Sequence, residues 1–384
     1  MYIMHKFLLN KSFLFLFLLF SASAFAQPAN SKWVIFGSLG NHKQGIALSS
    51  FDTLSGKLSA PKLIKEAQSP GFFVVHPDGK HLYSTISVDN LPNQTGGALS
   101  AYSIDPHTGE LTFLNSLPSH GKEPCHISLD GEGTHVLAAN YNSATAVVCS
   151  ILPDGSLGKE TGFAQSSGHS INKDRQNEAH AHSIRVDPSN KYALVCDLGV
   201  DKILIYKYDK TKGTLKANQP AFAKSTPGAG PRHSIFHPNG KYFYVANELL
   251  NTISVYTWDA KKGSLTEIQQ ISTLPTDFKE FSKLAEVAVY PNGKYLYCTN
   301  RGHNTIAVFN IDQKTGKISF LQHIATKGNM PRNFTFDPSN GWMILTNHES
   351  NNIVIYKIDK STGMLSQNGD PIELDAPFCV RFLK

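Results

Sequence analysis

Short apolar runs such as Ile353-Val354-Ile355-Tyr356 recur along the chain, bounded by Gly, Asn and Asp, and no segment carries a convincing helical period. Runs of this length between turn residues pattern as strands. They belong to a repeat. Pro238-Asn239-Gly240-Lys241-Tyr242-Phe243-Tyr244-Val245-Ala246-Asn247 leads into Asn251-Thr252-Ile253-Ser254-Val255-Tyr256. Pro291-Asn292-Gly293-Lys294-Tyr295-Leu296-Tyr297-Cys298-Thr299-Asn300 leads likewise into Asn304-Thr305-Ile306-Ala307-Val308-Phe309. Further units start at Pro77, Pro188 and Pro338, and a looser one surrounds Gly133. A second turn, Asp-x-x-x-Gly-x-(Leu or Ile), occurs at Asp52, Asp105, Asp209, Asp259, Asp312 and Asp359, and Pro153-Asp154-Gly155-Ser156-Leu157 fills the one gap.

That makes seven units of about 51 residues. Four short strands per unit, repeated seven times, predict an all-β, seven-bladed β-propeller with four-stranded blades. A linear solenoid would need atypical capping repeats, and none is present. The first unit opens at Trp33-Val34-Ile35-Phe36, which matches the second strand of the repeat. The last residues, Pro377-Phe378-Cys379-Val380-Arg381-Phe382, match an innermost strand such as Pro331-Arg332-Asn333-Phe334-Thr335-Phe336. The C-terminal strand is therefore expected to close the ring, which removes the open edges that invite aggregation.

In such a blade the Pro-x-Gly-Lys turn lies on one face, and the positions seven or eight residues to either side of it converge on the other, around the axis. Eight before the turn stand Gly71, Cys125, His182, Arg232, Ala285 and Arg332; seven before, Phe72, His126, Ser183, His233, Glu286 and Asn333. Eight after stand Ser87, Tyr141, Leu198, Glu248, Arg301 and His348. Positions that stay alike between units are scaffold, and Asn140, Asn247, Asn300 and Asn347 share one such position. Positions that diverge into reactive side chains are candidates for function. One face should thus collect several His and Arg with Glu, a pocket for an anion: Arg offers a planar fork of donors suited to carboxylate or phosphate, and Glu or His beside it supplies acid or base. A polar insertion from Gly162 to Ala179 precedes His180-Ala181-His182 and is placed to cover that face. His180 and His182 on an extended segment should point the same way, but no third ligand accompanies them.

The N-terminus changes the setting. Lys6, an apolar run from Ser12 to Phe20 and Ala24-Phe25-Ala26 describe a secretory signal peptide over residues 1–26, leaving a propeller domain over 27–384. A periplasmic or secreted protein is expected, with no membrane attachment in the mature form. The chain is 41% hydrophobic and only 17% charged, which excludes a disordered chain or a long coiled coil. The net charge of +6 is small and scattered, so no nucleic-acid partner is expected. The five cysteines are widely spaced and read as buried thiols, with one disulfide open in an oxidising compartment. There is no Gly-x-Ser-x-Gly elbow, no His-Glu-x-x-His and no phosphate loop.

Four ordered segments carry a resemblance: Arg175-Gln176 with His180-Ala181-His182; Gly230-Pro231-Arg232-His233 with Asn247-Glu248-Leu249; Ala285-Glu286-Val287 with Asn300-Arg301-Gly302-His303; and Pro331-Arg332-Asn333-Phe334. The chain resembles the seven-bladed propeller lactonases, among them propeller-type 6-phosphogluconolactonases and carboxymuconate-lactonizing enzymes. The resemblance implies hydrolysis, or reversible formation, of a lactone ester without a required metal; no cofactor is expected. It places the catalytic set on His182, Arg232, Glu248 and Arg301; His126, Arg175, His180, His233, Glu286 and Arg332, on the same face or beside it, are candidates for binding the substrate. Arg232 and Arg301 would hold the anionic group and the oxyanion; Glu248 or His182 would take the proton from water. A small anionic lactone and a monomeric enzyme are expected. The departure is export, since a phosphorylated sugar lactone of central metabolism is cytosolic. A second resemblance, of Tyr244-Val245-Ala246-Asn247 and Asn251-Thr252 to surface-layer propellers, would imply a binding or scaffold module instead.

Overall fold

The computed structural model of the chain describes residues 30–39, 45–92 and 94–383. The expected signal peptide lies outside these residues. Among them the elements are strands, arranged as seven antiparallel sheets in chain order around an axis, with a small two-stranded sheet (Asn90–Leu91 with Gln94–Thr95) beside blade 2. Blade 1 runs from Ser31–Ser38 outward, and its innermost strand is Pro377–Phe382 from the other end of the chain. The two pair antiparallel with Val34 opposite Phe382 and Phe36 opposite Val380, so the C-terminus closes the ring. Blades 2 to 7 begin with the inner strands Pro70–Val75, Pro124–Leu129, Ala181–Val186, Pro231–Phe236, Lys283–Val289 and Pro331–Phe336. The outer strands of blades 1 and 7 are each broken into two short pieces.

Each turn has a local cause. Gly240 closes the first hairpin of blade 5 at φ 69°, a left-handed conformation that suits a residue without Cβ. At the second turn of blade 5 the Asp259 carboxylate accepts from the amides of Lys261 (2.9 Å) and Lys262 (3.1 Å), an Asx turn. The four asparagines that recur at one repeat position are wholly buried; Asn140, Asn300 and Asn347 donate Nδ2 to loop carbonyls of Ser119, Thr273 and Thr326, and Asn247 to the hydroxyls of Thr252 and Ser254 in its own blade. They are scaffold.

The core lies between blades rather than inside any one of them. Tyr244, Ala246 and Val255 of blade 5 pack on Leu284, Leu296 and Cys298 of blade 6. Tyrosines on the second strands add a polar stitch: Tyr83, Tyr244 and Tyr297 donate to the carbonyls of Gly155, Gly316 and Gly363 in the following blade. All five cysteines are free thiols; four are buried and Cys125 is half-buried beside the axis.

Candidate active site

Six inner strands share an irregularity that fixes what faces the channel. Their pairing slips near the first residues, between Pro231 and Ser234 in blade 5, Leu284 and Val287 in blade 6, and correspondingly in blades 2, 3, 4 and 7. A regular strand would send Arg232 and His233 to opposite sides. The bulge re-aims consecutive side chains, and both end buried at the axis, 3% and 2% exposed.

Glu248 follows the second strand of blade 5 (Tyr242–Asn247), its amide donating to the Gly230 carbonyl at 2.7 Å. Three guanidiniums converge on its carboxylate. Arg232 Nε donates to Oε2 at 3.0 Å and Arg301 Nη2 lies 2.9 Å from the same oxygen. Arg175 Nη2 donates to Oε1 at 2.9 Å. Carbonyls of the blade 6 inner strand hold two of them in place: Arg232 Nη1 donates to Ala285 and Arg301 Nη2 to Leu284, at 3.0 and 3.1 Å. Burial pushes the Glu248 carboxyl up, but Arg301, Arg232, His182 and Arg175 outweigh it and hold it well below the usual carboxylate range.

His182 Nε2 stands 3.8 Å from Glu248 Oε2. Burial, then Arg232 and His233, push the imidazole well below its ordinary value, so at neutral pH it is uncharged. Tyr141 organises this side. Its hydroxyl accepts from Arg175 at 3.0 Å, His180 stacks parallel on its ring at 4.3 Å, and His182 meets it edge-on at 5.2 Å. The rings of His180 and His182 thus share Tyr141. Of the expected covering segment, Gly162 to Gln165 instead finish the outer strand of blade 3 (Leu157–Gln165); the loop beyond brings Arg175 over Glu248. Asp197 anchors the end of that loop, accepting from Ser166 and, at 2.7 Å, from the His180 amide.

Arg332 reaches the same rim without contacting Glu248. Its guanidinium lies over the Phe378 ring at 4.0 Å, and its Nε is buried without a partner. His182, Arg232, His233 and Arg332 line a cavity of about 10 Å3, room for one water. Three of the expected substrate ligands sit deeper. His233 Nδ1 pairs with Glu286 Oε1 at 3.1 Å, Asn333 donates to Glu286 Oε2, and His126 packs between Phe72 and His233. They form a layer across the channel beneath the Glu248 cluster.

The sequence left Tyr141 and Asp197 unassigned. Tyr141 shares its repeat position with Glu248 and Arg301, which was the available signal. Asp197 takes the place of the repeated asparagine. Among the described residues one trio has metal-ligand proximity, His76, Asp78 and His81 on the far-face turn of blade 2, and none of its members belongs to this cluster. His76 Nε2 meets the Gly133 carbonyl at 2.8 Å just as His237 Nε2 meets that of Gly293, so that histidine does scaffold work.

Residues 33–382 match the model of the family described as lactonase, 7-bladed beta-propeller. The chain is 37% identical over 340 residues to a 6-phosphogluconolactonase of Bacillus subtilis, covering 88% of this chain and 95% of that protein. It is 34% identical over 314 residues to a 6-phosphogluconolactonase of Formosa agariphila, covering 79% and 86%. The solved structure of a periplasmic gluconolactonase from Pseudomonas aeruginosa superposes with a TM-score of 0.85 at 25% identity, covering 92% of this chain and 99% of that one.

Proposed function

From the premise that the chain belongs to the seven-bladed β-propeller lactonases and is a 6-phosphogluconolactonase-like lactone hydrolase, we propose that it is exported and opens a small anionic sugar-acid lactone, with His182 as general base. The observation that carries this reading is the charge at the rim. Arg175, Arg232 and Arg301 share one contacting carboxylate, Glu248, and Arg332 has only the more distant Glu248 and Glu123, so the site has cationic charge left for a ligand. Glu248 is a poor base, because three guanidiniums hold it ionised; its part is to fix their geometry. His182 is neutral and borders the water-sized cavity.

In the proposed step, water oxygen bonds to the lactone carbonyl carbon while His182 takes its proton. Arg232 and Arg301 stabilise the oxyanion, charge placed before the reaction begins. The bond from carbonyl carbon to ring oxygen then breaks, and the proton returns to the ring oxygen. The products are a hydroxyl and a carboxylic acid, which ionises and releases one proton to solvent. Export is supported by the signal-like residues 1–26 and by the periplasmic setting named for the Pseudomonas neighbour.

The test is proton release by the mature protein with aldonolactones, their phosphates and uronic-acid lactones. Arg232→Lys keeps the charge and loses the fork. It should lower kcat/KM for both classes through the oxyanion, and by about tenfold more for anionic lactones than for neutral ones. Equal losses on both remove Arg232 from substrate recognition, and a wild type inert to the whole panel favours the binding-module reading. Fractionation should find the protein outside the cytoplasm with Gln27 at its N-terminus; retention of residues 1–26 in the cytoplasm refutes export.

A further inference from the structure

Beneath the layer of Phe72, Glu286 and Asn333 the channel widens into a second chamber of about 410 Å3 that approaches the opposite face. Its wall is mixed: Leu129, Ile235, Ala288 and Phe336 give it apolar stretches, and two arginines enter it. Arg185 comes from the inner strand of blade 4 and Arg381 from the C-terminal strand of blade 1. They occupy one repeat position, three residues after the Arg232 position, which elsewhere carries Val74, Ser128, Ile235, Ala288 and Thr335. Divergence at an otherwise apolar or hydroxyl-bearing position is the same signature that marks the rim.

Neither cation has a carboxylate in contact with it. Among the described residues no carboxylate forms an ion pair with Arg185 or Arg381. Arg381 gives Nη1 to Asn333 Oδ1 at 2.7 Å and to the Val380 carbonyl at 2.6 Å, and lies against the Phe72 ring at 4.7 Å. The Arg185 side chain forms no hydrogen bond with any described residue, and its Nε is inaccessible to solvent. The one carboxylate in the wall, Glu286, is taken up by His233, Asn333 and the Val287 amide. Burial disfavours the charged form of Arg185; Glu286 across the chamber offsets part of this, and the neighbouring Arg381 adds to it. A guanidinium stays protonated all the same, and one that faces a chamber with no carboxylate in contact can take an anion.

We propose that this chamber is a second binding site, separate from the lactone site, for a small oxyanion (carboxylate or phosphate) held between Arg185 and Arg381. The planar forks of both arginines suit two-point contacts to such a group, and the apolar stretches of the wall suit a short carbon skeleton attached to it. Asn333 and Glu286 link the chamber to His233 by the hydrogen bonds above. An anion at Arg381 therefore touches the same network that underlies the lactone site.

The test is calorimetric titration of the mature protein with inorganic phosphate and, separately, with acetate, on the wild type, Arg185→Gln and Arg232→Lys. Two anion sites per chain are expected. Arg185→Gln should weaken one of them by at least about tenfold while lactonase kcat/KM stays within about twofold; Arg232→Lys should weaken the other. Tighter phosphate than acetate assigns a phosphorylated ligand, and the reverse assigns a carboxylate. A melting curve in anion-free buffer guards against misfolding: Arg185→Gln should melt no lower than the wild type, because it removes a buried cation with no carboxylate in contact. A single anion site that Arg185→Gln leaves untouched overturns the proposal, whatever the lactonase assays give.

Discussion

At the scale of single residues, Glu248 has a structural burden beside its place in the site. It is 3% exposed and holds Arg175, Arg232 and Arg301. Glu248→Gln should abolish most turnover and also lower the melting temperature, since stranding buried cations costs about 3–5 kcal/mol. Added phosphate should then raise the variant's melting point more than the wild type's. A variant that melts like the wild type would mean that water compensates those charges. The histidines set the pH dependence. Burial is the largest cause pushing His126, His182 and His233 well below their ordinary value, so the fold holds them neutral. Above about pH 6.5 folded and unfolded chains are both neutral there, and this contribution is fully present. Below it the unfolded chain takes protons that the fold refuses, and stability falls by about 1.4 kcal/mol per pH unit for each imidazole. Glu248, held low, adds to the loss below about pH 4.5, whereas Glu123 and Asp197, pushed up by burial, regain stability as the pH falls toward their ordinary values of about 4.5 and 3.8. The melting temperature should therefore drop most cleanly between about pH 6.5 and 5, where the imidazoles dominate. A flat profile there would show that the three rings are solvated.

At the scale of elements, the strand bulge separates what could be read from what could not. The repeat register put Arg232, Glu248 and Arg301 on one rim from spacing alone, and the structure brings them together. Spacing also grouped His126, His233 and Glu286 with them. Their depth depends on where the pairing slips, and pairing is a property of two strands that one repeat does not encode. The choice between Glu248 and His182 as base was likewise illegible, because it turns on how many guanidiniums reach one carboxylate. Arg175 arrives from a loop whose path no periodicity marks. The blade-to-blade stitching, by contrast, was present in the repeat as Tyr244 and Tyr297, although its partners were not. Tyr244 is fully buried and donates to Gly316 of blade 6 at 2.9 Å. Tyr244→Phe keeps the packing and leaves that carbonyl unpaired, so it should cost about 1–3 kcal/mol in chemical denaturation with kcat unchanged. A neutral result would mean that another donor reaches Gly316.

At the scale of the molecule, closure and site are one problem. The rim gathers residues from blades 3 to 7, so its geometry holds only if the ring does. The ring is shut by a single strand, Pro377–Phe382, whose Cys379 and Val380 are fully buried and which pairs with the first strand of the domain. The same strand supplies Phe378, which supports Arg332, and Arg381, which enters the lower chamber. Removing residues 377–384 should therefore do more than expose an edge. Blade 1 would lose its innermost strand, its core with blade 7 around Val380 would open, and both ends of the channel would lose a wall. The expected outcome is a chain that expresses poorly or melts tens of degrees lower, with no lactonase activity. Adding the missing segment back as a peptide should restore part of both, because the groove it leaves is a preformed strand edge. If the truncated chain keeps its melting point and activity, then blades 1 and 7 meet without the closing strand, and the site does not depend on closure of the ring.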